Sequence, residues 1–134
     1  MRNLEQIRAA NALAYAEAGV KTRGAQGGEV VKKLPALIMS NGLLAAAAFA
    51  YAKGPDEGWY VFFDHLAKHL GDELVGVAPR QTRGLKELLA FLTSDAATSE
   101  TLKIATEESL AWLAYARRFV RKGPEEETES DTAE

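Results

Sequence analysis

Apolar side chains recur every three to four residues along most of this chain, a spacing that marks helices with one buried face. In the first such stretch Leu4, Ile7, Asn11, Ala14 and Ala18 follow at helical intervals up to Gly19, and Asn3 with Gln6 three places later supplies a capping pattern. The spacing predicts a helix over Leu4–Ala18. The glycine-rich segment GVKTRGAQGG (19–28) then reads as a flexible connection, followed by a second helix from about Glu29 to Met39.

The stretch LPALIMSNGLLAAAAFAYA (34–52) contains no charged side chain and is bracketed by Lys32-Lys33 and Lys53. Its length nearly reaches the roughly 20 residues of a bilayer span. Its quality does not: Asn41-Gly42 falls at the centre, and Ala45 to Ala48 with Ala50 contribute little transfer energy. Asn-Gly is a turn signal, so the run divides into two helices meeting at Asn41-Gly42, with Pro35 in a first turn or at a kink. The third helix, Leu43 to Lys53, is apolar all round, which predicts burial on every side and a place at the hub.

Downstream, Gly54-Pro55 stops that helix and Asp56 is offered as an N-cap for a fourth, on which Trp59, Phe62, Phe63, Leu66 and Leu70 share a face up to Gly71. RGLKELLAFLTS carries Leu85, Leu88, Leu89 and Leu92 as a fifth stripe. A last helix, from Ser94 or Thr98 to Arg121, turns Ala105, Ser109, Trp112, Ala116 and Phe119 inward and leaves Glu107, Glu108, Arg118 and Lys122 pointing elsewhere. No convincing strand remains. The expected fold class is all-α, a compact bundle of about six helices around a buried Ala-rich central helix.

Charge divides the chain at Gly123. All 16 Lys and Arg but only 13 of the 19 acids precede it, so the body is net +3, while GPEEETESDTAE carries six acids and no base. Residues 1–122 therefore read as a single helical domain and 123–134 as a disordered acidic tail. The absence of cysteine removes disulfide frameworks, thiolate metal sites and cysteine nucleophiles, and Met1 leads directly into a patterned helix; the expected location is cytoplasmic.

Candidate chemistry is sparse. His65 and His69 stand one turn apart, near Asp64 and Asp72, a spacing compatible with zinc, but Leu66 follows His65 where a metalloprotease carries glutamate. They read instead as two half-exposed histidines flanking the apolar stripe. Glycines ahead of Lys32-Lys33 suggest a phosphate cradle, yet the spacing fits neither the P-loop nor the dinucleotide fingerprint. Ser94, Ser99 and Ser109 lack a recognisable histidine partner, and Glu107-Glu108 diverge by about 100° on a helix. These patterns call for no cofactor, no metal and no enzyme. Three basic clusters remain: Lys21, Arg23, Lys32 and Lys33; Arg80, Arg83 and Lys86; and Arg117, Arg118, Arg121 and Lys122. Each also reads as solvated surface, and the last as helix-dipole compensation.

Three blocks in order, LEQIRAANA (4–12), KLPALIMSNGLLAAAAF (33–49) and ATEESLAWLAYARRF (105–119), resemble the small subunit of the Cmr complex, the type III-B CRISPR RNA-guided effector. They cover about a third of the chain. The middle block is the most specific, while residues 54–100 match only in helical character. The resemblance implies an all-α, non-catalytic antiviral subunit present in several copies. It would stack as a filament beside the backbone and large subunits along guide and target RNA. Carried over by block, Arg8, Lys33, Arg117 and Arg118 become candidates for RNA or neighbour contacts. Lys21, Arg23, Lys32, Arg121 and Lys122 join them on charge and position. The rival reading is a protein–protein adaptor whose basic residues meet acidic patches of neighbouring subunits, with no nucleic-acid contact. No membrane partner is expected.

Overall fold

At the start of the chain, the Asn3 amide donates to Gln6 Oε1 (2.8 Å) and the Gln6 amide donates to Asn3 Oδ1 (2.9 Å). This reciprocal capping box satisfies two amides that helix geometry would leave without partners. It opens α1 (Leu4–Ala18) in a computed structural model that describes residues 2–18 and 24–120, without the side chains of 24–29. Five further helices follow: α2 (Gly24–Asn41), α3 (Leu43–Lys53), α4 (Gly58–Leu70), α5 (Leu85–Leu92) and α6 (Ser99–Phe119). The fold is all-α, with no strand among the described residues.

The long α6 forms one side, with α1 packed along it; α2, α3 and α4 close the other side, and α5 lies against α3 and α4. Trp112 is the pivot. Fully buried, it meets Tyr15 of α1 (ring centroids 5.6 Å apart) and Phe62 of α4 (5.3 Å), and His69 stacks on it at 5.7 Å. Burial pushes the Tyr15 phenol well above its ordinary pKa.

The break between α2 and α3 falls where Asn-Gly placed it. Gly42 has φ +87° and ψ 161°, a region essentially reserved for glycine, so the chain turns there and restarts at Leu43. Upstream the expectation is corrected: α2 begins at Gly24, five residues before Glu29, and the segment read as a connection supplies its first turns. Glycine costs a helix about 1 kcal/mol per residue without forbidding it, and Val30, Val31, Leu34 and Ile38 are buried as one stripe that holds the helix. Pro35 consequently sits in the helix interior and not in a first turn, at a position where Val31 loses an amide partner.

Other local readings shift by small rotations. The inner face of α1 is Ile7, Ala12, Tyr15 and Ala16, with Leu4, Ala14 and Ala18 exposed, because burying the Tyr15 ring outweighs burying two methyl groups. Glu57, not Asp56, occupies the N-cap position of α4, since the turn from Gly54 to Glu57 uses one more residue. In α6 the cap is Thr98, whose hydroxyl accepts from the Thr101 amide at 3.2 Å.

The main correction concerns α3. Leu43, Ala46, Ala47 and Ala50 are buried, but Ala45, Ala48, Phe49, Tyr51 and Ala52 are exposed, so the helix is a flank and not an enclosed hub. Composition makes the helix apolar on all sides; which side the neighbouring helices cover is a tertiary matter. No described helix is long and apolar enough to cross a membrane.

Candidate functional site

The best-organised polar cluster lies inside the fold and joins α1, α4 and α6. On α6 the positions Ala105, Glu108, Ser109, Trp112 and Ala116 follow the buried face at intervals of three and four, so backbone geometry carries Glu108 into the interior. The same rule applied to Phe62, Leu66 and His69 buries His69 on α4. Arg8 of α1 reaches Glu108 as a fork, Nε to Oε2 at 2.8 Å and Nη2 to Oε1 at 2.7 Å. His69 Nε2 lies 2.8 Å from the same Oε2, and Asn11 Nδ2 lies 2.9 Å from His69 Nδ1 and donates to Asp72 Oδ2 at 3.1 Å. One tautomer satisfies every partner: Nδ1 accepts from Asn11 and Nε2–H donates to Glu108. Asp72 Oδ1 ends the chain of contacts by accepting from the Leu74 amide at 2.9 Å.

Burial would raise the Glu108 pKa, but the hydrogen bonds from Arg8 and His69, with the Arg8 charge, outweigh it and hold the carboxyl at about 2. Hydrogen bonding to Glu108 in turn raises the Arg8 guanidinium, against its desolvation. The cluster is thus a closed, charge-compensated network.

Two sequence readings change here. His69 is 1% exposed, not half-exposed, and both ring nitrogens are engaged; Glu108, expected to point outward, is 7% exposed and sits at the centre of the network. Their spacing on the two apolar stripes was the available signal, and their polarity masked it. His65 is half-buried, packs edge-on against Tyr15 at 5.3 Å, and is lowered in pKa by burial and by Lys68. No group of three metal-binding side chains converges among the described residues.

The cations proposed for RNA divide into three kinds. Arg8 is 26% exposed and holds Glu108. Lys32 and Lys33 are exposed on α2, and Arg117 and Arg118 in the last turn of α6, two helices that pack together. Arg117 and Arg118 form no ion pair among the described residues. Arg118 shares a shallow pocket with Glu5, Ala114 and Tyr115, where the Tyr115 hydroxyl donates to Glu5 Oε1 at 2.6 Å. Lys21, Arg23, Arg121 and Lys122 lie outside the described residues, as does the acidic segment 123–134.

The organised polar cluster thus ties three helices together and holds Arg8, while Lys32, Lys33, Arg117 and Arg118 lie exposed outside it. The sequence model of the CRISPR-associated protein (Cas_Cmr5) family matches residues 4–122. The chain belongs to this family, the small subunits of the type III-B CRISPR Cmr complex, and other Cmr subunits are its partners. Compared with curated proteins and with solved structures, the chain has no match.

Proposed function

We propose that this subunit is non-catalytic, works in the cytoplasm, stacks with further copies of itself, and holds the backbone of guide or target RNA through cations that read no bases. In this reading Lys32, Lys33, Arg117 and Arg118 take phosphates, joined by Lys21, Arg23, Arg121 and Lys122. Arg8 contributes chiefly by fastening α1 to α6. Residues 1–122 act as one helical domain, and the acidic tail competes with RNA for the same cations.

The observation that supports this reading is the pair Arg117 and Arg118: exposed, without ion pairs among the described residues, and inside residues 4–122, which match the family model. Arginines so placed are suited to sequence-independent phosphate contact. The Glu5 carboxylate beside Arg118 favours a second reading, in which that arginine meets a neighbouring subunit and no RNA. An RNA titration of the assembled complex, run beside native mass spectrometry, separates them. Arg117→Ala with Arg118→Ala should weaken RNA binding and leave assembly intact; expulsion of the subunit would favour the adaptor.

A further inference from the structure

Of the basic clusters in the sequence, Arg80, Arg83 and Lys86 form the one to which neither the fold nor the reading above gives a task. Arg80 and Arg83 line an open cleft of about 450 Å³ together with Lys68 of α4, while Lys86 does not. The volume falls within the roughly 300–1,000 Å³ of small-molecule sites.

Local chemistry builds the cleft. Helix α4 stops at Gly71 and the chain returns over that end: the Ala78 amide donates to the Leu70 carbonyl at 2.8 Å, and the Thr82 amide to the Pro79 carbonyl at 2.9 Å. The return runs so close that a Cβ on Gly71 would stand 2.5 Å from the Thr82 carbonyl oxygen. Asp64, one turn before Lys68, accepts from the Leu85 amide at 2.8 Å and ties the start of α5, just after Arg83, to α4. Thr82 is thereby pressed into the floor at 2% exposure, while Lys68, Arg80 and Arg83 stand exposed at the rim.

Two observations point to an anion. The Thr82 side chain lines the cleft from its buried position, and its hydroxyl has no hydrogen-bond partner among the described residues. Buried hydroxyls are ordinarily paired, so this one is free to donate to a group that enters. The cations are also unspent: Lys68 and Arg83 form no ion pair among the described residues, and Arg80 meets Glu73 only at 3.4 Å, with the two side chains 77% and 67% exposed. A surface pair of that kind is worth little and yields to a better acceptor.

Groups that would oppose an anion are already engaged. Asp72 Oδ1 accepts from the Leu74 amide and Oδ2 from Asn11 Nδ2, and the last carbonyls of α4, those of Ala67, His69 and Leu70, accept from the amides of Gly71, Asp72 and Ala78. Two unpaired cations match the roughly −1.5 to −2 charge of a phosphomonoester at neutral pH, which presents three acceptor oxygens. A backbone diester carries a single charge.

We infer that this cleft is a phosphomonoester site, in which Lys68 and Arg83 balance the charge of a terminal phosphate and the Thr82 hydroxyl donates to one of its oxygens. Such a group comes from a free nucleotide or from the end of an RNA strand. The site goes beyond the backbone contact proposed above and shares no residue with it.

An NMR titration of the isotope-labelled full-length chain tests this, with uridine monophosphate as the probe. The nucleotide should shift the amide resonances of Lys68, Thr82 and Arg83 saturably, and sodium chloride at equal ionic strength should not. Thr82→Val keeps the volume and removes the donor. It should weaken binding about tenfold at a parental melting temperature, because the hydroxyl bonds nothing within the fold. Lys68→Met with Arg83→Met should abolish the shift at Thr82. No saturable shift, a shift reproduced by salt, or parental binding by Thr82→Val would overturn the inference. Short oligouridylates separate the sources: a 5′-phosphorylated strand that binds tighter than the mononucleotide assigns the site to an RNA end, and one that binds no tighter assigns it to free nucleotide. A strand with hydroxyl ends that shifts the same amides as strongly would make this a diester contact and overturn the inference. The cations of α2 and α6 do not line the cleft, so variants at Arg117 and Arg118 let the backbone reading fail or stand independently of this site.

Discussion

Arg8 and Glu108, 100 residues apart in the chain, meet as a two-pronged ion pair with contacts of 2.7 and 2.8 Å. Glu108 is interior and accepts a third bond from His69, so α1, α4 and α6 are registered by one carboxylate. Apolar stripes permit several rotations of a helix about its axis; a fork of this geometry permits one.

Removing one partner strands the other. Glu108→Ala leaves the Arg8 guanidinium and the buried His69 ring without their acceptor. The expected loss lies toward the lower end of the roughly 3–5 kcal/mol seen for broken buried pairs, since Arg8 keeps 26% exposure. Arg8→Met paired with Glu108→Leu removes both charges and should be less destabilised than Glu108→Ala. Chemical denaturation of the parent and the two variants checks this; a double variant as unstable as the single would show that the pair contributes more than mutual compensation.

Stability should depend on acid through the same residue. The Glu108 carboxyl is held at about 2 in the fold against an ordinary value of 4.5. A depressed folded-state value stabilises fully above the unfolded pKa and is lost as pH falls, here between about 4.5 and 2. The integrated effect is on the order of 3 kcal/mol. Unfolding free energies measured from pH 6 to pH 2 should decline over that interval, and Glu108→Gln should remove this part of the decline while lowering stability at neutral pH.

Much of this was legible in the sequence. The capping pattern of Asn3 and Gln6, the break at Asn41-Gly42 and the six helices are set by local chemistry, and local chemistry is what a linear reading sees. Glu108 and His69 were also on the page, at i+3 from Ala105 and Leu66. Weighing charge and polarity above spacing leaves His69 half-exposed and turns Glu108 outward, and only the arrival of Arg8 and Asn11 from α1 reverses that balance. The start of α2 was hidden for a related reason: burial of Val30 to Ile38 sustains a helix through glycines that would not form one alone. Nothing local says which half of α3 its neighbours cover. Among the candidate cations, Arg8 sits within a family-like block, and its engagement with Glu108 depends on a residue 100 positions away.

Two glycines should resist substitution for different reasons. At Gly42 an added Cβ meets nothing within 4 Å, so the cost of Gly42→Ala is the positive φ alone, about 1–2 kcal/mol. At Gly71 the backbone angles are ordinary, but a Cβ would stand 2.5 Å from the Thr82 carbonyl oxygen and 2.9 Å from that of Pro79. Gly71→Ala must move the α4–α5 loop and should cost at least the roughly 1–3 kcal/mol of overpacking. Thermal unfolding should rank parent, Gly42→Ala and Gly71→Ala in descending order. Parity of Gly42→Ala with the parent would show that the turn tolerates a side chain.

The salt dependence of RNA binding should separate cations that hold phosphate from cations that hold the fold. Each phosphate contact on a single strand contributes roughly 0.7 to the slope of log affinity against log salt, because it releases condensed counterions. If Arg117 and Arg118 each hold one phosphate, replacing both by alanine should flatten the slope by about 1.4, with little change in melting temperature, since both are exposed. Arg8→Met should do the reverse: the slope stays near that of the parent while the melting temperature falls, because its fork is engaged by Glu108. Glu5→Gln supplies an independent check. Its carboxylate accepts from Tyr115 and lies in the pocket with Arg118, so neutralising it removes a repulsive charge from the path of a phosphate and should raise affinity at low salt. A Glu5→Gln variant with parental affinity, together with an unchanged slope in the double alanine variant, would take the α6 terminus out of RNA contact. Its two arginines would then act only as compensation for the helix dipole.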